Sequence, residues 1–169
     1  AVMGAVLAGA ARIVAVDPSV QKRELARSLG ATLVVDPAEG DPVDAIREGS
    51  RGGVDHAIEA AGTLGAFETA FKATRRGGSN VTLGLPGPAE RFSVPLAQLV
   101  AEARTVKGSY IGSCVPRRDV PAFVELYRQG RLPVDRLISG TLGLDGINDA
   151  LDRLADGTAI RQVITFSPS

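Results

Sequence analysis

The stretch AVMGAVLAGAARIVAVD, residues 1–17, decides how the rest of the chain is read. Ala1 to Gly9 are small and apolar, in the manner of a helix's last turns, and Arg12 to Asp17, RIVAVD, form a short apolar run that stops on an acid. Such a run, with a glycine ahead of it and Asp-Pro behind it, reads as a buried strand. A helix followed by a strand that ends in a carboxylate is a βα repeat entered in its middle. Nothing caps the helix at Ala1, so a preceding strand and turn are expected upstream of this sequence.

Working outward, the same alternation continues. Val20, Leu25, Ala26 and Leu29 fall at helical spacing between Pro18, which suits a first turn, and Gly30, which suits a cap. ATLVVD at 31–36 reads as a strand, residues 42–48 as a short helix and GVDHAIEAAG at 53–62 as a further strand. Residues 63–74 read as a helix closed by Arg75, Arg76, Gly77 and Gly78, a composition suited to the negative end of a helix dipole. SNVTLGLP at 79–86 is the next strand. RFSVPL reads as a short edge strand, TVKGSYIG at 105–112 as a longer one, and residues 116–129 as a helix ended by Gly130. LISGTL, a helix over about 145–154 and RQVITF at 161–166 follow. Strands alternating with helices, with several unbroken Val/Ile/Leu runs, predict an α/β fold whose doubly wound, mostly parallel sheet is covered on both faces. The whole length, 1–169, reads as one domain.

Composition narrows the partners. The 19 Lys and Arg are balanced by 19 Asp and Glu, without the basic surplus that accompanies nucleic-acid or anionic-membrane binding. No apolar run reaches the roughly 18 residues that span a bilayer. The single cysteine, Cys114, precludes an internal disulfide and fits a reducing, cytoplasmic setting.

In doubly wound sheets the ligand lies outside the carboxyl ends of the strands. Here those ends carry Asp17, Ala60 to Gly62, Leu83 to Leu85 and Ser109 to Ile111. An acid at the tip of a dinucleotide fold's second strand accepts hydrogen bonds from the adenosine ribose and repels a 2′-phosphate, favouring NAD over NADP. The same acid can cap the helix that follows, and both roles are compatible. Gly62, Gly84 and Gly112 serve either as tight-turn residues or as places where a flat cofactor lies against backbone. His56 has Val54 and Ile58 on its strand face and reads as a packed histidine. Cys114 reads as a small hydrophobe, with Arg117 and Arg118 near enough to lower its pKa. One cysteine and one histidine cannot make an all-Cys/His zinc site. Neither a Tyr-x-x-x-Lys spacing nor a phosphate-cradling GxGxxG occurs in the sequence.

AGAARIVAVD followed by Lys22, then LGAT, GGVDHAIEAAG, RRGGSNVTLGLP, TVKGSYIGS, INDALDRLADG and IRQVITF together resemble the coenzyme-binding half of a zinc-containing medium-chain alcohol dehydrogenase. The resemblance implies a Rossmann-like sheet lacking its first strand and Gly-rich turn, a partial dinucleotide-binding domain whose zinc-bearing catalytic domain lies outside this sequence. It implies NAD as cofactor, with zinc in the intact enzyme only, and an alcohol or aldehyde as substrate. Asp17 and Lys22 would flank the adenosine ribose. Ala60, Leu83, Gly84, Leu85, Ser109, Tyr110 and Ile111 would line the nicotinamide side, and Arg161 would meet a phosphate. Taken without the family, Lys22 and Arg161 read as solvated surface charge. Family assembly implies a homo-oligomer through the edge strand near 105–111, where Lys107 is the blunting charge. Other readings are a zinc-free quinone or enoyl reductase of the same superfamily, a methyltransferase and a non-catalytic nucleotide-binding module. The polypeptide 1–169 by itself is expected to show no hydride transfer with NAD and primary alcohols; sustained NADH production by it, followed by absorbance, would overturn that expectation.

Overall fold

The computed structural model describes residues 1–166. In chain order the regular elements are α1 (Val2–Leu7), β1 (Val14–Val16), α2 (Val20–Ser28), β2 (Leu33–Val35), α3 (Pro42–Ser50), β3 (Val54–Glu59), α4 (Leu64–Ala73) and β4 (Thr74–Thr82). They continue with α5 (Leu96–Ala101), β5 (Thr105–Gly108), α6 (Pro116–Arg128), β6 (Ile138–Leu142), α7 (Ile147–Ala155) and β7 (Arg161–Ile164). Packing divides the chain into two compact units, one ending at Asp119 and one beginning at Val120.

The helices begin where side chains can satisfy their orphan amides. Ser19 accepts from the Lys22 amide at the start of α2 (3.4 Å), Asp41 from Val43 at α3 (2.8 Å) and Thr63 from Ala66 at α4 (3.3 Å). Pro42 occupies the first turn of α3, where its missing N–H costs nothing.

Every strand pair in the first unit is parallel. β1 pairs with β2, while β4 is the middle strand of a β3-β4-β5 ribbon. The register sets Ala57 beside Asn80 beside Val106, and Glu59 beside Thr82 beside Gly108. Among the described residues β1 and β3 share no ladder. Against this ribbon Phe71, 3% exposed, sits between the Phe92 ring (centroids 5.1 Å) and the Arg104 guanidinium (4.9 Å). Arg104 is itself buried, paired with Glu102 at 2.6 Å and donating to the Phe71 carbonyl. In the second unit β6 and β7 pair in parallel, with α7 laid along them by Ala150, 5% exposed, whose carbonyl accepts from the Gln162 side chain (2.7 Å). No helix of the described residues is long and apolar enough to cross a membrane.

Four expectations are corrected. Arg75 to Gly78 do not close α4; they are the first half of β4. Thr74 is already extended and its hydroxyl donates to the Ala70 carbonyl (2.7 Å), so no glycine cap is needed. Arg75 is neutralised by Asp55 on β3, and the extra residues bulge, shifting the register between Val54 and His56. A Cβ on Gly78 would meet the Asp55 carbonyl at 2.9 Å, which explains its place in that bulge. RFSVPL is not a strand: Phe92 is drawn into the Phe67–Phe71 cluster, and α5 begins directly after Pro95. The strand from Thr105 stops at Gly108, because Ile111 (φ 49°) and Gly112 (φ 65°) turn left-handed inside a 3₁₀ segment. Lastly, the β3 ribbon is not covered on both faces. Ala57 and Glu59 are buried, whereas His56 and Ile58 lie exposed on the alternate face that the sequence had marked as packed.

Truncating Phe71 to Ala should cost about 3–5 kcal/mol in urea unfolding, by loss of transfer energy and opening of a cavity. The control Val100→Ala, at a position 79% exposed, should stay within about 0.5 kcal/mol. Equal midpoints for the two variants would show that the ring cluster is not the core of the first unit.

Candidate functional site

A parallel sheet aims the carboxyl ends of all its strands the same way, so chain segments far apart in sequence meet along one edge. At the end of β1, the Asp17 amide continues the ladder to the Val35 carbonyl (3.3 Å). Its Oδ1 accepts from the Ser19 amide (2.8 Å), an Asx turn that delivers Ser19 to its capping position. The second carboxylate oxygen has no hydrogen bond among the described residues, and the residue is half-buried. The expectation that Asp17 itself caps α2 is corrected: the cap is Ser19, and Asp17 holds that residue in place from two positions earlier.

This tip is braced by a residue that the sequence did not single out. Arg23 donates from Nη1 to the carbonyls of Asp17 (2.7 Å) and Pro18 (2.9 Å), and its Nη2 pairs with Asp36 at the end of β2 (2.7 Å). Both side chains of that pair are largely buried, at 11% and 15% exposure. Lys22, one residue earlier on α2, is half-buried and lies in the helix's first turn.

The β3-β4-β5 ribbon brings a second group together. Ala60 is exposed beyond β3; the amides of Leu83 and Gly84 donate back to the Glu59 carbonyl (2.7 and 3.4 Å); the Ser109 amide donates to the Thr82 carbonyl (2.9 Å). Leu85 (84% exposed), Tyr110 (78%) and Ile111 (69%) give this edge an apolar rim. The Ser109 and Ser113 hydroxyls are 3.0 Å apart and hold the turn after β5. Arg161 opens β7 in the second unit, exposed, its amide bonded to the Ser139 hydroxyl (3.2 Å). Another concavity, lined by Val35, Asp36, Glu39, Asp41 and Glu48 among others, lies beside β2 and α3; it shares Asp36 with the brace at the β1 tip but contains none of the site residues expected from the sequence.

His56 sits exposed on β3 and Cys114 is half-buried. Desolvation pushes the Cys114 thiol up, the hydrogen bond and charge of Asp119 add to that, and Arg118 opposes them without reversing the direction. The arginines therefore do not activate this thiol. Asp119 instead is held down, to about 2, first by its hydrogen bond with Arg118 and then by the Val115 amide.

Comparison with known sequences and structures now bears on this geometry. The profile of the zinc-binding dehydrogenases matches residues 1–129. The chain belongs to that family. It is 35% identical over 167 residues to geraniol dehydrogenase of Castellaniella defragrans, covering 98% of this chain and 44% of that enzyme. The benzyl alcohol dehydrogenase structure from Acinetobacter calcoaceticus superposes with a TM-score of 0.93 at 31% identity, over 98% of this chain and 46% of that one. A zinc-binding dehydrogenase from Sinorhizobium meliloti bound to NADP gives 0.85 at 32%, over 97% and 48%. This zinc-binding dehydrogenase chain thus spans less than half the length of the relatives it matches, and its Rossmann-like α/β fold is that of their coenzyme-binding half. Among the described residues no three His, Cys, Asp or Glu side chains cluster to hold a metal. The residues here do not fit a zinc centre, and no chemical step is assigned to zinc within them.

Because its folded pKa is lowered, the Asp119 carboxylate stabilises the start of α6 fully above its ordinary value of 3.8 and loses that contribution as the pH falls towards about 2. Asp119→Asn should therefore be less stable than the wild type at neutral pH, and the gap should narrow between pH 4 and 2 in thermal melts. A gap that stays constant with pH would refute the carboxylate's role.

Proposed function

We propose that this chain is a partial dinucleotide-binding domain, over residues 1–169, of an NAD-dependent alcohol dehydrogenase. The observation that carries the proposal is the Asp17 carboxylate at the tip of β1, one oxygen fixed by the Ser19 amide and the other without a hydrogen bond among the described residues. A carboxylate so held accepts from a ribose hydroxyl without reorganising and repels a 2′-phosphate, which supports NAD over the NADP carried by the S. meliloti relative.

When bound, NAD would supply a nicotinamide ring able to accept a hydride. The chain's own residues bind and orient. Asp17 and Lys22 hold the adenosine ribose, with Arg23 and Asp36 bracing the Asp17 backbone. Leu83, Gly84 and Leu85 on one side and Ser109, Tyr110 and Ile111 on the other offer main-chain groups to the carboxamide, and their apolar side chains keep water from the ring. Arg161 offers a charged partner to a phosphate. The substrate class, an alcohol or aldehyde, follows from the names of the matched relatives. An intracellular setting accords with the lone Cys114. Assembly of copies through β5 is supported by its free outer edge, where all four residues of TVKG are exposed.

Asp17→Ala in the intact protein should weaken NAD binding by about 1.5–3 kcal/mol, roughly 10- to 150-fold. NADP binding should fall much less or rise. The check is titration by NADH fluorescence and calorimetry, and an unchanged NAD affinity would remove the basis of the proposal.

A further inference from the structure

Glu59 is a carboxylate with 4% exposure at the end of a strand, and the functions assigned above use only its backbone. A buried acid is costly unless its oxygens are satisfied. Here both are, by a group in the turn after β3 and a group at the end of β4. Oε1 accepts from the Gly62 amide (2.6 Å), in the turn after β3. Oε2 accepts from the Thr82 hydroxyl (2.6 Å), the last residue of β4. The Glu59 carbonyl takes the Leu83 and Gly84 amides as well, so one residue binds both connections by main chain and side chain together.

The space around it is closed. Gly62 adopts φ +73°, and a Cβ on Gly84 would run into the Gly62 backbone and come within 3.0 Å of the Glu59 carboxylate. The two loops touch backbone to backbone with the carboxylate wedged beneath them. Leu83 and Leu85, on either side of the contact, face solvent at 39% and 84% exposure.

We infer that Glu59 is a positioning residue: its carboxylate latches the Leu83–Leu85 segment to the Gly62 turn and thereby sets the nicotinamide half of the cofactor site. The inference rests on the nucleotide reading above for the identity of what is positioned. The latch itself rests on the hydrogen bonds alone. Its two bonds require an acceptor at one oxygen and a hydrogen-bonding partner for a hydroxyl at the other. A glutamine meets both needs, because the Thr82 hydroxyl can accept as readily as donate.

The test compares wild type, Glu59→Ala and Glu59→Gln in the intact protein, with NAD and ADP-ribose as probes. ADP-ribose carries the adenosine and pyrophosphate but no nicotinamide. Glu59→Ala should bind NAD about tenfold or more weakly while keeping ADP-ribose affinity, and Glu59→Gln should restore most of the loss. In the nucleotide-free protein, the amides of Gly62, Leu83 and Gly84 should exchange with deuterium faster in Glu59→Ala than in wild type. Equal loss of NAD and ADP-ribose affinity would reduce Glu59 to a fold-stabilising residue and overturn its positioning role. Unchanged exchange at those amides would overturn the latch. A wild type that binds neither probe would instead refute the nucleotide reading, and the exchange measurement would still decide the latch.

Discussion

β4 is hydrogen-bonded along both sides, to β3 through residues such as Ala57 and Glu59 and to β5 through Val106 and Gly108. Because parallel ladders slant in one direction, this double pairing leaves the ends of all three strands at one edge. The loops at 60–62, 83–85 and 109–113 have no freedom to be elsewhere. Their sequence separation is large, yet their backbones are joined by bonds from Leu83 to Glu59 and from Ser109 to Thr82. The candidate nicotinamide edge is therefore a consequence of register before it is a consequence of any side chain.

Beneath that edge two charged side chains are engaged and one buried amide is not. Glu59 is satisfied by Gly62 and Thr82, and Arg104 lies over Phe71 while holding its carbonyl. Asn80, 1% exposed beside Ala57 and Val106, has no hydrogen-bond partner for either amide atom among the described residues. An unsatisfied buried amide costs on the order of 1–3 kcal/mol; the ladder on both sides of β4 holds it in place all the same. At the other ribbon, Arg23 and Asp36 perform for the β1 tip what Glu59 performs for β4. In each case a largely buried charge bridges two strand ends, so the edge is stiffened where a ligand would press on it.

The match over residues 1–129 and the superposition on benzyl alcohol dehydrogenase establish the ancestry and the α/β fold. Chemistry is carried by sites and not by folds. In the proposed function, Asp17 is the residue that favours NAD, and the edge that β4 organises is the part that would orient a nicotinamide ring.

Local order was legible in the sequence wherever a short-range rule decides the outcome. The helices near 20–28, 42–50 and 64–73 follow from apolar spacing and Gly/Pro punctuation, whereas the sequence pattern does not single out their caps, Ser19, Asp41 and Thr63, and points to Asp17 in place of Ser19. RIVAVD and ATLVVD became paired parallel strands, and Asp17 stood at a strand tip, for the same reason of local pattern. What the sequence could not contain was the partner of each group across space. Arg75 and Gly77 look like the end of a helix until Asp55 and the Glu102 carbonyl meet them on neighbouring elements. Phe92 looks like an edge strand until Phe67 and Phe71 draw it away, and Ile111 gives no sign of the left-handed turn that ends β5. Nothing in the sequence singles out Glu59, and only the approach of the Gly62 turn and the end of β4 makes it a junction. Hydrogen bonds and packing between distant segments depend on where the backbone brings them, and that placement is a property of the folded chain as a whole.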